Sequence, residues 1–147
     1  MANPDFMRFS SGLLAREQVS AFLKKIVGWD REHRPSQFAL IIRASGTLAG
    51  FCGFFHQVVD ETDEIEVAYR LHPDYWNQGI ATEAAGAVRD HAFRDLKLPR
   101  VISLIHPDNI ASRRVVEKIG MKRKGNCLPR FPHSRLFAQP GSLVGAA

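Results

Sequence analysis

Glu66-Val67-Ala68-Tyr69-Arg70-Leu71-His72-Pro73-Asp74-Tyr75-Trp76-Asn77-Gln78-Gly79-Ile80-Ala81-Thr82-Glu83-Ala84, in the middle of this 147-residue chain, joins a strand pattern, a polar turn and a helix start. Alternation over Glu64 to Leu71 predicts a strand, with Ile65, Val67, Tyr69 and Leu71 on one face and Glu64, Glu66, Ala68 and Arg70 on the other. The polar turn His72-Pro73-Asp74-Tyr75 follows, and a helix should start at Ile80. A small-residue turn at a helix start leaves backbone N–H groups unpaired, with the positive end of the helix dipole behind them. Such an end can hold a phosphate or pyrophosphate. Gly79 permits close approach to the backbone, and Ala81 keeps the first turn slim. Spacing alone does not separate this from an ordinary helix N-terminus. A second polar face on a central strand predicts that it borders solvent or a cleft. Within that face, a surface glutamate at Glu66 paired with Arg70 is one open reading.

Before this stretch, Val19, Phe22, Leu23, Ile26 and Val27 recur at helical spacing and predict a helix from Ala15 to Trp29, ended by Arg31 to Pro35. Met1 to Gly12 has no period and is expected to cover the surface. Phe38 to Arg43 and Thr47 to Val59 read as an antiparallel hairpin around Ala44-Ser45-Gly46. Gly50 and Gly53 suggest a bulge or a close backbone approach. The acidic turn Asp60-Glu61-Thr62-Asp63 reads as a solvated loop rather than a cation site.

After it, the central helix should run from Ile80 to Lys97, burying Ala81, Ala84, Ala85, Val88, Ala92 and Leu96. Val101 to Ile105 is then a parallel strand, and Ile110 to Ile119 a helix with Asn109 as N-cap and Gly120 as stop. Met121 to Cys127 and Ser134 to Ala138 read as strands, and 139–147 as a loose tail. The prediction is one α/β domain over 1–147, with a mixed, largely antiparallel central sheet flanked by helices. A ligand would enter at its central strand–turn–helix–strand unit.

Composition narrows the function only slightly. The chain is 45% hydrophobic and 24% charged, with a formal net charge of +5. That balance suits an anionic ligand, an acidic partner or nucleic acid. A nucleic-acid reading rests on charge alone, without a recognition motif or basic–aromatic alternation. Cys52 and Cys127 stand in no metal-ligand spacing. They read as reduced thiols of a cytoplasmic protein, with a disulfide as the alternative. No run is long and apolar enough to span a membrane, and no secretory signal is visible. No metal is expected.

The quoted stretch resembles the acetyl-CoA-binding core of the GNAT acetyltransferase superfamily, specifically its RimJ/RimL branch of ribosomal-protein N-terminal acetyltransferases. His106-Pro107-Asp108-Asn109-Ile110-Ala111-Ser112-Arg113-Arg114-Val115-Val116-Glu117-Lys118-Ile119-Gly120-Met121 resembles that branch's next signature. The match covers about residues 3 to 138 and is weakest at both ends. The resemblance implies the acyl-CoA N-acyltransferase fold and acetyl-CoA as cosubstrate. The CoA pyrophosphate is then expected at Asn77, Gln78, Gly79, Ile80, Ala81 and Thr82. The pantetheine arm would lie along Tyr69, Arg70 and Leu71 like an added strand, with Asn109 and Ser112 near its far end. Asn109 could equally be a pure N-cap. Arg113, Arg114, Lys118, Lys122, Arg123 and Lys124 could meet acidic ligand groups or form a solvated helix face.

The implied reaction is acetyl transfer to a primary amine, on a protein N-terminus or a small molecule. The amine must be neutral to attack, so a base is useful. Glu66 matches an acidic position of the branch and is the candidate. A backbone N–H of its strand can stabilise the oxyanion. The chain departs from the pattern at three points. Trp76 stands where the superfamily's phosphate turn usually begins with Gln or Arg, and Val116 where a thiolate-protonating tyrosine is common. Relatives also have a strand and a helix before the point matching Asn3. Without them a sheet edge and part of the acceptor wall would be uncovered, which a homodimer would cover. A truncated member that binds acetyl-CoA with little catalysis is the alternative function.

Overall fold

The computed structural model describes residues 4–5, 7–9, 14–126 and 135–141. Helix α1 (Arg16–Arg31) precedes three strands, β1 (Gln37–Ile42), β2 (Thr47–Val59) and β3 (Thr62–Leu71). A single 3-10 turn, Pro73–Tyr75, leads into α2 (Ile80–Arg94). Then come β4 (Arg100–Ile105), α3 (Ile110–Lys118), β5 (Lys122–Asn126) and β6 (Arg135–Pro140). The strands form one sheet in the order β1-β2-β3-β4-β6-β5. Only the β3–β4 neighbours are parallel. The sequence expectation of a mixed, largely antiparallel sheet with flanking helices is met, and so is its element order.

The strand period assigns the layers. Cys52, Phe54, Val67, Val101, Ile105 and Phe137 point to one face, where Ala85, Val88 and Ala92 of α2 and Val116 of α3 close over them. The alanines of α2 let the helix pack close to the sheet. On the opposite face Phe22 of α1 stacks its ring 6.0 Å from Phe51 and 5.8 Å from Phe55. Beyond α1 that face carries a smaller cluster of Val59, Ile102 and Ala138, flanked by Leu104 and Leu136.

Several boundaries differ from those read in the sequence. Helix α1 runs to Arg31, and Leu23 and Val27, placed on its packed face by periodicity, are 54% and 46% exposed. The stripe turned to the sheet is therefore narrower, centred on Phe22. Helix α2 ends at Arg94, with Asp95 as its C-cap, rather than at Lys97. Lys97 has a positive φ of 54° that no helix accommodates. The acidic turn shrinks to Asp60-Glu61, both at positive φ (48° and 60°), because Thr62 and Asp63 already pair with Val59 and Val58. Such a two-residue turn matches the twist of the strands it joins. Gln139 and Pro140 are not tail but the end of β6, opposite Val101 and Arg100; the expected tail beyond them, 142–147, lies outside the described residues, as does Cys127. Cys52 is wholly buried, and burial pushes its thiol up to about 12. The close approaches read from Gly50 and Gly53 are present. A Cβ at Gly50 would collide with the Arg70 carbonyl, and one at Gly53 with the Ser36–Gln37 backbone. The β1–β2 register shifts between Leu40 and Ile41, opposite Gly50.

Candidate active site

The site is built on the two edges of β3. On its β2 side the strand is registered without interruption from Thr62 to Leu71. On its β4 side the registered contact is the single pair Glu66–Ile102. Antiparallel ladders alternate bonded and non-bonded pairs. The His72 N–H donates to the Ala49 carbonyl at 2.8 Å, so the even-numbered residues of β3 direct their backbone groups to β2. Val67, Tyr69 and Leu71 therefore turn theirs toward β4, where the strands have parted. Two partners agree with that parity. The Val67 carbonyl accepts the Ser103 hydroxyl at 2.7 Å, and the Leu71 carbonyl accepts the Trp76 indole N–H at 2.9 Å.

The turn after β3 presents the start of α2. Asn77 and Gly79 both lie at positive φ, 57° and 77°. No side chain caps the helix, and the Glu83 N–H is the first to bond back, to the Gly79 carbonyl at 3.0 Å. The N–H groups of Ile80, Ala81 and Thr82 are thus without intrahelical acceptors. A Cβ on Gly79 would meet nothing within 4 Å, so the volume beside the turn is open. Gln78 folds its amide back onto the Asp74 carbonyl at 2.9 Å, which leaves its backbone forward.

Helix α3 starts differently. The Asn109 carboxamide oxygen accepts the Ser112 N–H at 3.1 Å, so the N-cap reading of Asn109 holds. The Tyr69 hydroxyl donates to the Ser112 carbonyl at 2.9 Å. These two bonds link Tyr69, Asn109 and Ser112, residues selected from two separate stretches of the sequence. Burial raises the Tyr69 phenol well above its ordinary range.

Glu66 lies on the other face of the same strand, and here the sequence reading needs correction. Its polar face does not border solvent: Glu64 and Glu66 are only 5% and 8% exposed. Glu64 is ion-paired with Arg100, whose Nε donates at 2.9 Å. Glu66 is not a surface residue either. One carboxylate oxygen accepts the Gln57 amide at 2.7 Å, and the other accepts the Leu104 backbone N–H at 3.1 Å. Burial raises its pKa, and these two donors pull it part of the way back. Burial likewise lowers the Arg70 guanidinium, which donates to the Met7 sulfur at 2.9 Å. Phe9 stacks 5.6 Å from His106, which follows β4. Residues 7 and 9 thus touch both walls of the opening.

Gln57, Ser103 and Met7 were not singled out from the sequence. Gln57 looked like one polar position in a long strand, and its value comes from sitting diagonally across from Glu66 in the β2–β3 register. Among the described residues no group of His, Cys, Asp and Glu could hold a metal ion, and no helix is long and apolar enough to cross a membrane.

Residues 1–122 match the model of the acetyltransferase (GNAT) domain family. Over 122 residues the chain is 34% identical to an uncharacterized N-acetyltransferase, YnaD, of Bacillus subtilis, spanning 81% of this chain and 68% of that protein. A crystal structure of a GNAT-family acetyltransferase from Bacillus anthracis superposes with a TM-score of 0.77 at 30% identity, covering 95% of this chain and 84% of that one. The spermidine N-acetyltransferase of Vibrio cholerae, solved with CoA and spermine, shares the fold at 13% identity (TM-score 0.76, 96% and 85% covered). A strand with one free edge, running into an uncapped helix start, is therefore found in a chain that belongs to the GNAT acetyltransferase family, the acetyl-CoA-dependent N-acetyltransferases.

Proposed function

We propose that this protein transfers the acetyl group of acetyl-CoA to a primary amine that reaches the β3–β4 opening from the Glu66 side, with Glu66 as the base. The parting of β3 from β4 beyond Glu66 carries this reading. It leaves the Tyr69 backbone and the Leu71 N–H facing a gap, since the Leu71 carbonyl is taken by Trp76, and an extended amide-bearing arm can pair with them as an added strand. The residues fit CoA. The uncapped N–H groups of Ile80, Ala81 and Thr82, with open volume beside Gly79, suit a pyrophosphate. Acetyl-CoA supplies the thioester, and the chain's own residues do the rest. Asn77 and Gln78 shape the turn. Asn109, Ser112 and the Tyr69 hydroxyl fix α3 against β3 near the reacting end.

An amine that attacks a thioester carbonyl must first lose its proton. Glu66 can take it, directly or through water, and burial moves its pKa toward the working range of such a base. A backbone N–H on the free edge of β3 can hold the developing oxyanion. Val116 is wholly buried in the core and carries no acid, so on this reading the thiolate either leaves unprotonated or takes its proton from water. That same observation favours a second reading, an acetyl-CoA-binding family member with little catalysis. The His106–Met121 block supports a RimJ/RimL-like protein, with a protein N-terminus or a small amine as acceptor. The β1 edge, where Phe38 and Ile41 are exposed, supports a homodimer.

Calorimetric titration with acetyl-CoA, with dephospho-CoA as comparison, tests the cofactor site. A turnover panel of Ala- and Ser-initiated peptides and polyamines then tests the acceptor. Binding with turnover on either class is expected. Binding without turnover on any amine selects the second reading, and no binding by a folded sample removes both.

A further inference from the structure

We infer that Glu66 and Ser103 together wedge the sheet open, each replacing with a side chain one half of the inter-strand bond that would otherwise zip β3 to β4. This inference rests on the reading of the outer edge of β3 as the acetyl-CoA edge. In a regular parallel ladder, a pair such as Glu66–Ile102 is followed by a bond from the N–H two residues along one strand to the carbonyl of the next residue on the other. Here that bond would join the Leu104 N–H to the Val67 carbonyl. Both groups are present, and both are occupied by other partners. The Leu104 N–H goes to the Glu66 carboxylate at 3.1 Å. The Val67 carbonyl takes the Ser103 hydroxyl at 2.7 Å.

The two wedges come from opposite faces of the sheet. Ser103 is 2% exposed and sits on the α2–α3 side, its hydroxyl 3.6 Å from the Met121 sulfur. Glu66 sits on the other side, where the Gln57 amide holds its second oxygen at 2.7 Å. The Leu104 N–H and the Val67 carbonyl are thereby both satisfied while the strands stay apart. Without the wedges, the cheapest way to satisfy Leu104 N–H and Val67 C=O is to bond them to each other. That would bring Tyr69 against β4 and remove the free edge. Ser103 is accordingly a positioning residue for the cofactor, and Glu66 has a structural duty beside its chemical one. The titratable groups around the fork are Glu64 with Arg100, the neutral Tyr69 phenol and Arg70; none of them supplies either half of the replaced bond.

The test is the double variant Glu66→Leu, Ser103→Val, read by amide hydrogen exchange at Tyr69, acetyl-CoA affinity by calorimetry, and Tm. Zipping predicts that exchange at Tyr69 slows and acetyl-CoA affinity falls, each by about tenfold or more, the scale of one closed or lost hydrogen bond, with no drop in Tm. Wild-type affinity together with unchanged Tyr69 exchange would overturn the wedge. If the wild type does not bind acetyl-CoA yet Tyr69 exchange slows in the variant, the wedge stands and the cofactor reading falls. Should the double variant fail to fold, Ser103→Ala serves instead: several-fold weaker binding restored by Ser103→Thr supports the wedge, and wild-type binding by Ser103→Ala overturns it.

Discussion

Along one edge β3 is registered with β2 at ten consecutive residues; along the other it is registered with β4 at Glu66 alone. The strand is the same, and so is its supply of backbone donors and acceptors. The first edge is continuous because Gly50 lets the Arg70–Leu71 backbone pass close by, and a two-residue turn sets the register. The second edge is interrupted because side chains intercept its bonds. One strand can thus be structural on one side and a binding rail on the other, with no change in its own conformation. The two helix starts repeat the contrast. Helix α3 is closed by Asn109, whereas α2, led in by Gly79, has no side-chain cap.

Reversing the contrast at α2 should have the largest effect. Gly79→Glu places a carboxylate where a pyrophosphate is proposed to sit. Nothing lies within 4 Å of the new Cβ, so the fold bears only the cost of a positive φ. Like-charge contact at this range predicts acetyl-CoA binding weaker by about hundredfold or more. Calorimetry that returned wild-type affinity would remove the phosphate-turn assignment.

The two edges were unequally legible in the sequence. The strands of the ladder with β2 could be read from alternation, and the close approaches at Gly50 and Gly53 from the glycines themselves. The uncapped turn before α2 and the Asn109 cap of α3 could be read because caps and turns are local chemistry. The opening could not. It depends on Ser103 meeting Val67 and on Leu104 meeting Glu66, contacts between residues 36 and 38 positions apart. A serine inside an apolar run carries no mark of such a duty. The burial of Glu64 and Glu66 was hidden for a related reason. Alternation shows which face a residue takes but not what covers that face, and here Arg100, Gln57 and a backbone N–H make a polar interior possible.

The next change sharpens the open edge. Glu66→Gln keeps an oxygen for the Leu104 N–H, so acetyl-CoA affinity should move little. Turnover should fall by about hundredfold, the contribution of a positioned base. Its stability has a definite sign. Burial raises the folded pKa of Glu66 above its unfolded value. The stability Glu66 contributes is therefore fully present below the unfolded value and lost as pH rises through the folded one. Glu66→Gln should then gain Tm over wild type on the alkaline side and not on the acid side. Thermal melts across pH, alongside kcat, check both halves; an unaltered kcat removes Glu66 as the base.

The smallest effect belongs to Gln57→Leu, which leaves both edges in place and removes one donor to the carboxylate. Gln57 lowers the Glu66 pKa, so its loss should move the acid limb of the kcat/KM profile to higher pH. At a pH below the limb the rate should drop by about tenfold, the size of a hydrogen bond to a charged group, with little change above it. A limb that stays where it was while Glu66→Gln abolishes it would show that Gln57 does not tune the base.

The Asp60-Glu61 turn also has a consequence in time. It joins β2 to β3 through two residues, so this hairpin closes over a short loop and can form early and locally. Strand β4 can reach β3 only after α2 has been laid down between them, because a parallel partner needs a long crossover. The chain can therefore assemble the strand proposed as the binding rail first and receive the opposite wall of the opening later. Throughout that interval the outer edge of β3 is an unpaired template, and the contacts that later keep it open for a ligand arrive together with the strand that could have sealed it.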